Sequence, residues 1–149
     1  MEGSKYYSPA DGVSCVRLAE YEPTLAEEAL RRALEPIGGL ELVKPGMTVV
    51  IKANLVSAMK PEEAATTHPV LLQALTRMLK EKGATVILGD SPGGVYTKAF
   101  VSRVYKLSGM HEVESEGAEL NDDFSQVSAE FPEGKVLKSF TYKIGRAHV

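Results

Sequence analysis

The chain has 149 residues, 44% of them hydrophobic and 25% charged, with a formal net charge of −3. That length suits one domain with a sizeable core, and the acidic balance argues against non-specific nucleic-acid binding, which needs clustered Lys and Arg to displace counterions. No run reaches the roughly 18 apolar residues of a membrane span, and no basic amino-terminal stretch leads into an apolar one, so the chain reads as cytoplasmic with neither membrane nor nucleic acid as partner.

Residues 1–12 are polar, contain Gly, Ser and Pro, and lack periodicity, which marks a flexible lead-in. Val13-Ser14-Cys15-Val16-Arg17-Leu18 has the β-branched and apolar character of a short first strand, which would bury the single cysteine, Cys15, as an inert thiol. Thr24-Leu25-Ala26-Glu27 matches a capping box, and the apolar positions Ala26, Ala29, Leu30, Ala33, Leu34 and Ile37 follow helical spacing until Pro36 and Gly38-Gly39. Lys44-Pro45-Gly46 is a turn. Met47 to Ile51 is then a near-continuous apolar run, the mark of a parallel strand covered on both faces.

Pro69 suits the first position of a second helix, because its missing amide is not needed there, and that helix buries Leu71, Leu72, Leu75, Met78 and Leu79 before closing at Gly83. Ala84 to Leu88 is the next buried strand. It empties into Gly89-Asp90-Ser91-Pro92-Gly93-Gly94, ahead of a helix from about Thr97 that presents Phe100, Val101, Val104, Tyr105 and Leu107 on one face. Met110 to Asn121 is acidic and ambiguous, and Glu112 through Asp123 reads as a solvated face rather than a cation cage. Segments 124–131 and 136–142 read as strands around Pro132-Glu133-Gly134. The alternation predicts an α/β fold, a layered Rossmann-like, mostly parallel sheet flanked by helices over residues 13–143.

In such sheets the ligand crevice lies outside the carboxyl ends of the strands. Lys52, Asn54, Asp90 and Ser91 stand at or just past such ends, and Thr66, Thr67 and His68 precede a helix amino end. Lys52 supplies a positive charge, Asn54 a donor and an acceptor, and the amides of Gly93 and Gly94 an anion-binding nest. A small anionic ligand, a phosphate or a carboxylate, is the natural guest. Asp90 suits a ribose hydroxyl, a cation or a proton instead. Each stretch also has a plain structural reading: Asp90-Ser91-Pro92-Gly93 is ordinary turn chemistry, and on that reading Thr67 and His68 do no more than cap the helix that follows. No second His or Cys stands at metal-ligand spacing, no full nucleotide-binding glycine pattern is present, and nothing names a metal ligand, a catalytic residue or an oligomeric state.

Ile51-Lys52-Ala53-Asn54-Leu55, Thr66-Thr67-His68-Pro69, Gly89-Asp90-Ser91-Pro92-Gly93-Gly94 and Phe131-Pro132-Glu133-Gly134-Lys135, in this order, resemble the amino-terminal half of the domain of unknown function 362 family. The resemblance runs from about Val13 to about Tyr142. Ala53 departs from it, standing where the family usually has proline. The resemblance implies an iron–sulfur-associated, redox-related protein whose 4Fe-4S cluster is held by a cysteine motif further along the chain, and therefore outside these residues. A fainter likeness in layout to the amino-terminal domain of lactate racemase-like proteins implies a carboxylate substrate. A non-catalytic nucleotide- or carboxylate-binding module is the alternative.

Lys143-Ile144-Gly145-Arg146-Ala147-His148-Val149 reads as the translation of a common sequencing adapter, AAG ATC GGA AGA GCA CAC GTC. On that reading, residues 144–149 are an adapter-derived tail and the domain is incomplete on its carboxyl side, with an apolar face or edge left open.

Overall fold

A computed structural model of the chain describes residues 13–94 and 96–142. The lead-in expected over 1–12 and the tail expected over 144–149 lie outside the described residues.

Two apolar runs and one short mixed segment become strands because each finds a neighbour. β1 (Thr48–Lys52), β2 (Thr85–Gly89) and β3 (Ala118–Leu120) form a parallel sheet in the order β1-β2-β3. The register sets Val49 beside Val86 and Ala118, Ile51 beside Leu88 and Leu120, and Val50 beside Ile87 and Glu119. Side chains alternate across a strand, so these rows point to opposite faces. The Ile51, Val86, Leu88 and Ala118 side of the sheet is buried against three helices. They are α2 (Pro69–Glu81), which contributes Leu72 and Leu79, α3 (Lys98–Leu107), which contributes Val101, Val104 and Tyr105, and the single turn α4 (His111–Glu114), which contributes Val113. Burying a Val or Leu of this kind is worth roughly 1.5–3 kcal/mol.

The helices begin and end as their terminal residues dictate. α2 starts on Pro69 with His68 as its cap, and closes into Gly83, whose φ of +77° is left-handed. α3 is capped by Thr97, whose hydroxyl accepts from the Phe100 amide at 3.3 Å. α1 (Pro23–Leu34) packs on α2, and the guanidinium of Arg77 joins the two, bonding Glu27 at 3.4 Å and, beyond α4, Glu116 at 2.8 Å.

Four expectations need correction. Val13–Leu18 forms no strand, and Cys15 is exposed rather than buried; strand-forming composition yields a strand only where a neighbour offers ladder hydrogen bonds. α1 begins at Pro23 with Glu22 as its cap, its carboxylate accepting from the Leu25 amide at 2.9 Å, so Thr24 and Glu27 lie inside the helix instead of forming a capping box. Ile37 stays exposed in the short 3-10 turn that follows. The sheet is parallel, but its second face carries Thr48, Val50 and Glu119 in exposed positions and is not covered by a helix of the described residues.

The ambiguous stretch after Met110 resolves into α4 and β3. β4 (Val127–Glu130) and β5 (Ser139–Tyr142) pair antiparallel as a separate two-stranded sheet, with Gly134 donating to Phe131 O at 2.8 Å in the intervening turn.

Candidate functional site

β1 and β2 lie side by side and point the same way, so the loops that follow them emerge together. Asp90 ties them. Its Oδ1 lies 2.9 Å from Lys52 Nζ, and its Oδ2 accepts from the Leu55 amide at 2.6 Å. Two backbone bonds reinforce the join: Ala53 donates to Gly89 O at 3.1 Å, and Gly93 donates to Val56 O at 3.0 Å. Asn54 turns the β1 loop in the left-handed region, with φ of +50°, and its Oδ1 accepts from Lys52 Nζ at 2.6 Å. Asparagine tolerates that conformation better than most residues do.

The Asp90 side chain is only 7% exposed while that of Lys52 is 70% exposed. The carboxylate is therefore the fixed anchor and the ammonium the group presented to solvent. Both charge-assisted bonds act on a buried acceptor, which makes them stronger than surface equivalents.

Beside this junction, on the sheet face that the helices leave open, lies a cleft of about 700 Å³. Its apolar side is Val50, Leu55, Val56 and Ile87, and its polar rim is Lys52, Asn54, Asp90, Ser91 and Asn121. None of the lining residues comes from a helix. Ile87 is buried yet lies outside the core cluster, and Val50 is 40% exposed, so both are apolar side chains spent on the cleft. Gly89 lines the cleft as well. A Cβ there would stand 2.8 Å from Cβ of Asn121, so only glycine allows the β2 end and the residue after β3 to approach this closely.

Of the residues singled out from the sequence, Lys52, Asn54, Asp90, Ser91 and Gly93 come together in this cleft. Gly93 commits its amide to Val56, and Gly94, at φ of +120°, packs against the Phe100 ring. The amide of Gly93 is therefore tied to the neighbouring loop rather than turned to a guest. Thr66, Thr67 and His68 are not among the cleft's lining residues. His68 caps α2, its Nδ1 accepting from the Val70 amide at 3.3 Å, and its ring stacks on Tyr21 with centroids 3.7 Å apart. Burial lowers its pKa, against a smaller opposing pull from Glu62 and Glu112. Thr66 Oγ1 is buried and makes no hydrogen bond.

Sequence reasoning missed Asn121 and the apolar wall. Asn121 follows β3 as Asn54 follows β1 and Asp90 follows β2, a positional signal hidden by the acidic residues around it. It is anchored through its backbone, which accepts from the Tyr105 hydroxyl at 2.9 Å and donates to Leu88 O at 2.8 Å. Tyr96 stacks at a tilt on Phe124, and its pKa is raised by burial first and then by the charges of Asp90 and Asp123.

A family model described as Domain of unknown function (DUF362) matches residues 49–148. The chain belongs to the DUF362 family. The match takes in the parallel sheet from Val49 onward and every residue of the cleft. Among curated proteins, the chain is 37% identical over 81 residues to a protein of Synechocystis sp. described as thylakoid-associated. That stretch is 54% of this chain and 25% of the relative, so the chain spans about a quarter of the length of the curated relative it matches. No solved structure matches the chain. Among the described residues, no helix is long and apolar enough to cross a membrane, and no group of three or more His, Cys, Asp or Glu side chains could hold a metal ion.

Proposed function

We propose that this DUF362 chain binds a small anionic ligand, a phosphate or a carboxylate, in the cleft at the carboxyl ends of β1 and β2. The observation that carries the reading is the Lys52 ammonium, fixed by Asp90 and Asn54 yet 70% exposed, on the polar rim of a cleft with an apolar wall. A buried counter-charge holds the cation in one place, which lowers the ordering cost of recruiting a guest. The roles proposed are Lys52 as the charged contact, Asn54 and Ser91 as hydrogen-bonding partners, and Asp90 as the residue that positions Lys52. No catalytic residue is proposed.

We also propose, from the family resemblance alone, that the chain is part of an iron–sulfur-associated, redox-related protein. A 4Fe-4S cluster takes four thiolate ligands, and this chain has one cysteine, exposed and alone. Its own residues do not fit such a cluster, whose ligands would come from outside the chain. The cytoplasmic location belongs to the proposal as well. The thylakoid association of the Synechocystis relative makes a membrane-surface location the competing reading, and fractionation of the native protein decides between them.

The test is thermal melting of the chain in a panel of inorganic phosphate, a nucleoside monophosphate and straight-chain monocarboxylates at constant ionic strength. Binding to the native state raises the melting temperature, and the rise grows with the logarithm of ligand concentration above Kd. At least one anion is expected to do so, and Lys52→Ala is expected to abolish the rise. Unchanged melting across the panel contradicts the reading.

A further inference from the structure

Resting on the anion reading of this cleft, the hydrogen-bonding inventory narrows the guest. We infer that the cleft selects a monocarboxylate with an aliphatic body over phosphate or a nucleotide.

An ammonium has three N–H donors. Asp90 Oδ1 at 2.9 Å and Asn54 Oδ1 at 2.6 Å take two of those on Lys52, leaving one for a guest. Two of the loop amides beside the cleft are engaged elsewhere, that of Leu55 on Asp90 and that of Gly93 on Val56. Lys52 and Asp90 also cancel in charge. A dianion, which needs net positive potential and a nest of several amides, loses the first to Asp90 and two amides of the second to these bonds. A singly charged carboxylate needs less: one N–H from Lys52, with the Ser91 hydroxyl and the Asn54 amide group on the same rim.

The rest of the cleft suits a hydrocarbon. Val50, Leu55, Val56 and Ile87 line it, and Val50 and Val56 are 40% and 56% exposed. Such residues gain from being covered by an apolar chain that continues from the head group. Ligand sites of this size, apolar with a few placed polar groups, are the general pattern for small molecules. Each methylene added to the guest should tighten binding about fourfold while the wall lasts.

Calorimetric titration of the 149-residue chain tests this with acetate, butyrate, hexanoate and octanoate, each below its micelle concentration, against inorganic phosphate and octanol. The expected result is affinity rising along the carboxylate series, by more than about tenfold from butyrate to octanoate, with phosphate and octanol each at least about tenfold weaker than octanoate. Val50→Thr, nearly isosteric at a half-exposed strand position, should reduce the slope of the series. A flat series together with Lys52-dependent phosphate binding overturns this inference and leaves the anion reading standing. Octanol equal to octanoate, or no binding by any probe, overturns both.

Discussion

The two faces of the parallel sheet are made by the same strands and differ in what they bury. On one, Ile51, Val86, Leu88 and Ala118 meet α2, α3 and α4 in a continuous core. On the other, Val50 and Ile87 meet a cleft, flanked by Lys52 at the end of β1 and by Asn121 just past β3. Near-continuous apolar strands usually signal cover on both sides. Here the second set of apolar residues instead lines an open cleft. The lesson is that an apolar residue on a strand marks a surface to be covered, without saying whether protein or ligand covers it.

The sharpest way to break that comparison is to shorten one residue on each face. Leu88→Ala should cost about 2–5 kcal/mol, because Leu88 is fully buried and its loss leaves a cavity. Val50→Ala should cost less than about 1 kcal/mol, since Val50 is already 40% exposed. Chemical denaturation measures both, and equal losses would mean that the open face is as much a core as the covered one.

A smaller effect is expected at the junction between the two loops. Asp90→Ala strands the Leu55 amide and frees Lys52, and should cost about 2 kcal/mol by the same measurement. Gly89→Ala, which drives a Cβ to 2.8 Å from Asn121, should cost roughly 1–3 kcal/mol unless the β3 end shifts. If Gly89→Ala melts like the parent chain, the close approach of β2 to Asn121 is not needed by the fold.

The smallest expected effect is at the amino end of α2. Burial lowers the pKa of His68 in the folded protein, so the unfolded chain binds a proton there more readily. The stability tied to neutral His68 is therefore fully present above its unfolded pKa of about 6.5, and is lost as pH falls below that value toward the lower folded pKa. His68→Asn keeps a capping side chain and should flatten the melting temperature between neutral and mildly acidic pH. An unchanged acid slope in that variant would assign the pH dependence to other groups.

Much of the frame was legible because local signals agreed with tertiary ones. The runs at Met47–Ile51 and Ala84–Leu88 became β1 and β2 shifted by one residue, and Pro69 and Gly83 bounded α2 as their backbone preferences require. Val13–Leu18 misled because propensity alone cannot supply a ladder partner, and Thr24 misled because Pro23 already fits the first helical position with Glu22 before it. β3 was hidden for the opposite reason: three residues, Ala118-Glu119-Leu120, carry almost no periodic signal and become a strand through pairing with β2.

The candidate site divides in the same way. Lys52, Asn54, Asp90 and Ser91 could be marked because polar residues just past parallel strands share one edge by topology. That Asp90 clamps Lys52 while the Gly93 amide is tied to Val56 depends on the course of two loops, which no spacing rule encodes. Thr66, Thr67 and His68 share the carboxyl-end character of the site without lining the cleft, since strand-end position fixes height along the sheet and leaves lateral position open.

The most direct test of the central claim, an anionic guest held at Lys52, is to follow the backbone amide signals of the isotope-labelled chain by nuclear magnetic resonance during titration with octanoate. Changes at Lys52, Leu55, Ile87 and Ser91 should saturate together and vanish in Lys52→Ala, with Thr67 and His68 unmoved. Changes centred on Thr66 to His68, or a cleft response that persists without the Lys52 ammonium, would contradict the account.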